Sequence, residues 1–278
     1  MDTLIYYFSA TGNSLNVARD LAKALGNTQI LSIPNFVDRE TVEVSSKRVG
    51  LVFPVYAWGM PRIVAEFIEK LKIDKATYIF AVVTCVAIQG NTLVALQNAL
   101  RRKGGDLGAG FAVKAPRSSL MKLNNLDRII MRLDRKRKKL KTAEERFSEI
   151  LSVVKNKELH KVETSSLASG IFGSLLHGMA LNSFRGTDSA FVVDDTCKAC
   201  GTCADLCPRG NIVLSNGRPT FLHNCELCHA CIQWCPQFAI RHPNFDADAL
   251  QYTHPRVKKT DLQHTRLVST EISNKTHC

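Results

Sequence analysis

The sequence predicts an α/β protein, built as a five-stranded, doubly wound parallel sheet followed by a smaller α+β module rich in cysteine. Three observations lead there. Five short apolar runs alternate with amphipathic helical stretches over the first part of the chain. Eight cysteines then repeat one spacing twice between Cys197 and Cys235. Finally, a chain of 278 residues, 45% of them hydrophobic, has length for one full-sized core and a second small one.

The first run, TLIYYF at Thr3 to Phe8, has the aromatic and branched side chains of a strand and stops at Ser9-Ala10-Thr11-Gly12-Asn13-Ser14. After it Leu15, Val17, Ala18, Leu21, Ala22 and Leu25 recur at helical spacing until Gly26. A turn of this kind puts backbone amides and hydroxyls at the positive end of a helix, which is what a phosphate needs. It carries no Gly-Lys-Ser/Thr and no three spaced glycines, so it is neither a nucleoside-triphosphate loop nor a dinucleotide site. An ordinary helix start capped by Ser14 accounts for one hydroxyl and not for three.

Here the residues resemble a known family. SATGNS matches the phosphate loop of flavodoxins, in which hydroxyls and amides hold the phosphate of FMN without a cationic side chain. The resemblance implies that Ser9, Thr11, Gly12, Asn13 and Ser14 bind that phosphate. Further strands are expected at Thr28 to Ser32, Arg48 to Phe53, Thr77 to Thr84 and Leu107 to Val113, with helices at Arg62 to Leu71 and Thr92 to Lys103. In such sheets ligands sit beyond the carboxyl ends of the strands at the topological switch point. Two loops are expected there. Pro54-Val55-Tyr56-Ala57-Trp58-Gly59-Met60-Pro61 offers Tyr56 and Trp58 for stacking on a flavin ring, and the resemblance implies a peptide at Gly59 able to turn toward the flavin. Thr84-Cys85-Val86-Ala87-Ile88-Gln89-Gly90-Asn91 carries less glycine than related proteins have. The expected FMN contacts are thus Pro54, Tyr56, Ala57, Trp58, Gly59, Thr84, Cys85, Gly90 and Asn91, besides the phosphate loop. Cys85 has no cysteine partner at a useful spacing and reads as a small buried residue. Neither loop contains Asp or Glu, which implies a less negative final FMN potential than an acid-ringed site would set and makes FMN the sink for electrons.

Arg128 to Lys141 holds eight basic residues and one acid, a solvated face or a docking patch for an acidic redox protein. It leads into a helical repeat of Leu140, Phe147, Ile150, Leu151 and Val154 that completes the first layer. Residues 161–187, rich in Ser and Gly from Val162 to Gly186, read as a connector.

Phe191-Val192-Val193 then forms a short strand entering the cysteines. The spacing C-x2-C-x2-C-x3-C-P occurs at Cys197, Cys200, Cys203 and Cys207 with Pro208, and again at Cys225, Cys228, Cys231 and Cys235 with Pro236. Each cysteine of the second copy lies 28 positions after its counterpart, so the segment is an internal duplication. This run is a recurring ligand pattern of bacterial iron-sulfur proteins, and where two copies are present the last cysteine of each ligates the other cluster. On that pattern Cys197, Cys200, Cys203 and Cys235 hold one 4Fe-4S cluster, and Cys225, Cys228, Cys231 and Cys207 the other. Zinc knuckles space their ligands differently, and disulfides need an oxidising compartment. Asn216-Gly217 marks a hairpin between the motifs. His223, His229 and Trp234 read as neighbours that tune potential rather than as ligands. The tail beyond is polar, and the terminal Cys278 reads as a free thiol.

Nearly the whole chain resembles bacterial and archaeal flavodoxin-ferredoxin fusion proteins. The expected organisation is a flavodoxin-like FMN domain at 1–160, the connector at 161–187, a two-cluster ferredoxin domain at 188–245 and a tail at 246–278. The resemblance implies an electron-transfer protein in which two 4Fe-4S clusters and FMN link a low-potential donor to an acceptor. The alternative is an FMN-dependent reductase of a quinone, nitro compound or similar small molecule. The expected partner is a ferredoxin, flavodoxin or oxidoreductase. The net charge of +12 first suggests nucleic acid, but no helix-turn-helix, zinc-finger or RNA-recognition signature accompanies it. No apolar run has the length of a membrane span and the amino terminus carries no signal-peptide pattern, so a reduced, cytoplasmic setting is expected.

Overall fold

The computed structural model describes residues 2–122, 141–164, 186–246 and 250–263. Most of the basic patch, from Arg128 to Leu140, and the terminal Cys278 lie outside the described residues.

Strands β1 (Thr3–Tyr7), β2 (Thr28–Ser32), β3 (Arg48–Pro54), β4 (Tyr78–Cys85) and β5 (Leu107–Lys114) form one sheet. Its order is β2-β1-β3-β4-β5, with every pairing parallel. The order reverses between β1 and β3, which puts the switch point directly after the first strand. Successive side chains on a strand point to opposite faces, and both faces are covered. Leu4, Tyr6 and Phe8, with Leu51 and Phe53, pack on the side of α2 (Arg62–Lys70) and α3 (Thr92–Arg102). Ile5 and Tyr7, with Phe80 and Phe111, pack on the side of α1 (Asn13–Leu25) and α4 (Ala143–Asn156). The expected element bounds hold to within about two residues. Leu71 leaves its helix to pair, with Lys72, in parallel with Val42–Glu43.

Helix α4 begins on a capping box in which Thr142 and Glu145 satisfy each other's amides. Buried Arg146 then ties it to the edge of the sheet. It pairs with Glu149 at 2.8 Å and Glu163 at 2.6 Å, and donates to the Ala112 carbonyl. Glu163 in turn accepts from the Ala112 amide, so an edge strand is covered by its own connecting segment.

The cysteine module is built from the duplication. Short helices α5 (Thr202–Asp205) and α6 (Ala230–Gln233) are 28 positions apart. Strand β6 (Val192–Val193) pairs antiparallel with β9 (Ile240–Arg241), and β7 (Ile212–Ser215) with β8 (Arg218–Phe221) through the expected turn at Asn216 and Gly217. Left-handed backbone recurs in the same register, at Ala199 and Leu227, Gly201 and His229, and Gly210 and Phe238. Such residues turn successive amides toward one point, and the backbone repeats the trick once per copy. Leu120, from the chain leaving β5, joins Ile212, Ile232 and Ile240 in the module's small core.

The two parts are locked together. Pro61, at the start of α2, provides no side-chain cap, and the Ile63 amide instead donates to the Glu226 carboxylate at 3.1 Å. Glu226 is bonded by Arg209 at 2.7 Å, and Arg209 also reaches Glu66. Nearby Trp234 donates its indole N–H to the Ala10 carbonyl at 2.9 Å. Among the described residues no helix is long and apolar enough to cross a membrane.

Candidate functional site

The turn after β1 is built as a cradle. Gly12 adopts φ 99°, a conformation that favours glycine, and sits at the N-terminal boundary of α1. No side chain caps that helix, so Ser14 is not a cap; its hydroxyl meets the Thr84 hydroxyl at 2.9 Å instead. Ser9 Oγ accepts from the Gly12 amide at 3.1 Å. Ser9, Thr11 and Ser14 are all buried. The arrangement is an anion cradle of hydroxyls and amides at a helix start.

A cavity of about 490 Å³ opens in front of this turn. Ser9, Thr11, Asn13, Ser14, Pro54, Tyr56, Ala57, Trp58, Thr84 and Cys85 line it, so most residues expected at the site meet there. Gly12, Gly59, Gly90 and Asn91 are not among its lining residues. Tyr56 and Gly59 exchange backbone hydrogen bonds of 3.0 Å, closing a tight turn whose central residues, Ala57 and Trp58, both have positive φ. Positive φ on alanine and tryptophan is strained backbone that neighbouring structure must hold in place. The Asn91 amide donates to the Trp58 carbonyl, and Gly90 approaches so closely that a Cβ there would stand 2.1 Å from the Trp58 oxygen. The two residues therefore brace the aromatic turn. Burial, then the neighbouring thiols and Glu226, push the Tyr56 phenol well up, so it stays neutral.

Sequence reasoning missed two sides of the cavity. The chain leaving β5 contributes Ala115 to Ser119, Met121 and Lys122, and the cysteine module contributes Leu227, Cys228 and His229. The first side follows from the rule that loops at strand carboxyl ends line such sites. The second had no local signal. Among the described residues that line it none is Asp or Glu, and Arg117 and Lys122 are among them.

The cysteines surround two smaller enclosed cavities. Cys197, Cys200, Cys203 and Cys235 line one; Cys207, Cys225, Cys228 and Cys231 line the other. Each set thus draws three thiols from one copy of the repeat and one from the other. None of the described cysteines is in a disulfide. Among the described residues no group of three or more His, Cys, Asp or Glu is gathered as a metal-ion site. Backbone amides aim at the sulfurs: Asn211 N–H at Cys207 Sγ and Leu227 N–H at Cys225 Sγ, both 3.2 Å, and Ala239 N–H at Cys235 Sγ, 3.4 Å. Burial pushes the Cys203 thiol up to about 11 and Cys225 up to about 12, with Cys228 and Cys231 also raised. Such groups are neutral thiols unless a cation offsets their charge. Cys200 goes the other way, lowered first by its hydrogen bond with Thr202. Cys228 and His229 line both the second sulfur cavity and the large one.

His229 is buried, and its Nδ1 accepts from the Leu120 amide at 3.2 Å. Burial lowers its pKa to about 4, which makes it a neutral packing residue between the two parts. His223 lies near Asp188 at the surface, away from the large cavity.

A segment read from sequence as polar tail also belongs to the site. Residues 250–263 run back across α1, burying Val257 and Leu262, and Tyr252 donates to Asn13 Oδ1 at 2.7 Å.

Compared with known proteins, residues 4–145 match the family model described as a flavodoxin domain, just over half of the chain. The chain belongs to the flavodoxin-domain family. No curated protein matches it. Among solved structures it is similar to the two-electron reduced flavodoxin of Megasphaera elsdenii, at 16% identity over 40% of this chain and 85% of that one, with a TM-score of 0.32. It is also similar to the Trp repressor binding protein of Bacillus subtilis, at 11% identity over 58% and 99% of the two chains, TM-score 0.35. A third is an FMN-dependent NADH-azoreductase of Bacillus anthracis, at 9% identity over 41% and 86%, TM-score 0.31. The flavodoxin domain thus supplies the sheet and the hydroxyl cradle, and the match stops before the cysteine module.

Proposed function

We propose that this chain is an electron-transfer iron-sulfur flavoprotein, in which the flavodoxin domain holds FMN, the cysteine module holds two 4Fe-4S clusters, and together they link a low-potential redox donor to an acceptor. The shared wall carries the proposal. Four thiols drawn from both copies of the repeat surround a cavity whose Cys228 and His229 also line the pocket before the Ser9 to Ser14 cradle.

In this reading Ser9, Thr11, Gly12, Asn13 and Ser14 hold the FMN phosphate, and Pro54, Tyr56, Ala57, Trp58, Thr84 and Cys85 surround the ring. Gly59, Gly90 and Asn91 hold the aromatic turn. The cavity of about 490 Å³ is within the range of cofactor pockets, and its mix of hydroxyls at one end and aromatics at the other suits a phosphate joined to a flat ring. Cys197, Cys200, Cys203 and Cys235 would hold one cluster, and Cys207, Cys225, Cys228 and Cys231 the other. Bound flavin supplies one- and two-electron chemistry, and the clusters supply one-electron chemistry. The chain's own contributions are amide hydrogen bonds to the sulfurs, exclusion of water by buried packing at His229, and a pocket without carboxylates among the described residues. That last feature removes a negative charge that would oppose reduction, and Arg117 and Lys122 add positive potential. The flavin is therefore the electron sink, and a redox protein is the partner.

The second reading, an FMN-dependent reductase of a small acceptor, is favoured by the reach of the pocket past the cradle to Met121 and Lys122. One experiment separates them. Material purified without oxygen is assayed for iron, sulfide and flavin, with about eight iron and one flavin expected per chain, and is then titrated spectroelectrochemically. Folded protein retaining neither cofactor refutes both readings. A flavin couple well below both clusters refutes the sink. Saturable, selective turnover of a small acceptor, with slow exchange with carrier proteins, moves the assignment to the reductase.

A further inference from the structure

We infer that residues 250–263 are the outer half of the phosphate site, a strap that sets Thr11, Gly12 and Asn13, with Tyr252 as its positioning residue. The inference rests on the reading of the Ser9 to Ser14 turn as a phosphate cradle, and adds to it a segment that lies far from it in sequence.

Three consecutive cradle residues each meet the strap. The His254 amide donates to the Thr11 carbonyl at 2.8 Å. A Cβ on Gly12 would stand 2.9 Å from the Cβ atoms of both His254 and Val257, so the strap lies directly against the glycine. Tyr252 Oη donates to Asn13 Oδ1 at 2.7 Å, and Asn13 lines the pocket. The chemical effect is orientation. An anion cradle needs N–H groups turned inward and carbonyl oxygens turned away, since an oxygen facing the anion repels it. His254 occupies the Thr11 oxygen from outside. Tyr252 does the same for the Asn13 amide oxygen, while Nδ2 on the other side of that side chain donates to the Pro116 carbonyl at 3.4 Å, so the side chain is held from both sides. Burial, outweighing the bond to Asn13, raises the Tyr252 phenol, so it remains a donor through the neutral range.

The strap is anchored at both ends of this contact. Arg256 pairs with Asp20 at 2.8 Å and Asp261 with Arg19 at 2.9 Å on the exposed side of α1, while Val257 and Leu262 are buried beneath. Toward the cysteine module, Gln251 donates to the carbonyls of Ile232 and Cys235 at 2.7 and 2.8 Å, and the Tyr252 amide donates to Gln233 Oε1 at 2.7 Å. One segment therefore spans from the second cysteine run to the cradle.

The test compares two ligands that differ only by the phosphate. The full-length, oxygen-free protein is titrated with FMN and with riboflavin by flavin fluorescence, as wild type, Tyr252→Phe and Val257→Ala. Tyr252→Phe removes one neutral hydrogen bond and is expected to weaken FMN roughly three- to tenfold while leaving riboflavin within about twofold. Val257→Ala, which opens space behind Gly12, shifts the same ratio in the same direction. Equal weakening of both flavins would mean that the strap only stabilises the fold, and no change in either would mean that it does not set the cradle; each result overturns the inference. A wild type that binds neither flavin refutes the cofactor reading before any variant is compared. A wild type that binds both equally shows that the turn holds no phosphate.

Discussion

The contact between the flavodoxin domain and the cysteine module concentrates on one buried ion pair, and its removal has a calculable cost. The side chains of Arg209 and Glu226 are 3% and 2% exposed and 2.7 Å apart, and Glu226 also accepts from the first turn of α2. Burial raises the Glu226 carboxyl, against the pull of Arg209 and the Ile63 amide. Burial also opposes the Arg209 charge, but its bonds to Glu66 and its attraction to Glu226 outweigh that and hold it ionised. Arg209→Met leaves a buried carboxylate with Arg62 at 3.7 Å and one amide, for a loss of about 3–5 kcal/mol. Glu226→Gln keeps the volume and the bond from Ile63 and leaves Arg209 beside the more exposed Glu66, so the loss is smaller, about 1–3 kcal/mol. The double variant Arg209→Met with Glu226→Leu loses less than Arg209→Met alone, because no buried charge is stranded. Hydrogen exchange at the first turn of α2 and in the cysteine module, alongside chemical denaturation, reads these differences. Single variants within about 0.5 kcal/mol of wild type, or a double variant that loses as much as Arg209→Met alone or more, would refute the reasoning.

Three further outcomes follow from the same geometry. The Asp261 carboxyl is held below its usual 3.8 first by the hydrogen bond from Arg19, so its contribution is complete above that value and is lost as pH falls through the lower folded one; the protection of strap amides, taken relative to the intrinsic exchange rate at each pH, should fall below about pH 4, and Asp261→Asn should remove that dependence. Gly90→Ala places a methyl group against the Trp58 carbonyl at φ 60°, costing about 1–2 kcal/mol for the backbone alone; flavin titration should show FMN and riboflavin weakened together, unlike the strap variants. Cys228→Ser should change the FMN affinity read by flavin fluorescence more than Cys200→Ser does, since Cys228 lines the large pocket and Cys200 does not; an affinity changed by the second substitution and not the first would contradict the shared wall.

The sheet was readable because its signals are local. Each strand is an uninterrupted apolar run, as expected where both faces are covered, and each helix shows one apolar stripe. The hydroxyl turn was readable for the same reason, since six consecutive residues carry it. Ser14 shows the limit: its hydroxyl was expected on a phosphate, and its contact with the Thr84 hydroxyl, 70 positions later, had no local signal. Gly90 and Asn91 were expected as flavin contacts because they end the right loop; that their backbone also meets the Trp58 carbonyl, from a loop some thirty positions away, had no local signal.

Spacing and periodicity were sufficient for the bounds of the strands, the place of the cradle and the 28-residue duplication, because those features depend on neighbours along the chain. The carboxylate that caps α2 from the other module, the wall at Cys228 and the strap over Gly12 depend on approaches between distant segments. Those approaches are settled by packing two cores against each other, where one buried ion pair or one glycine without a Cβ decides what fits, and no residue's sequence neighbours record it.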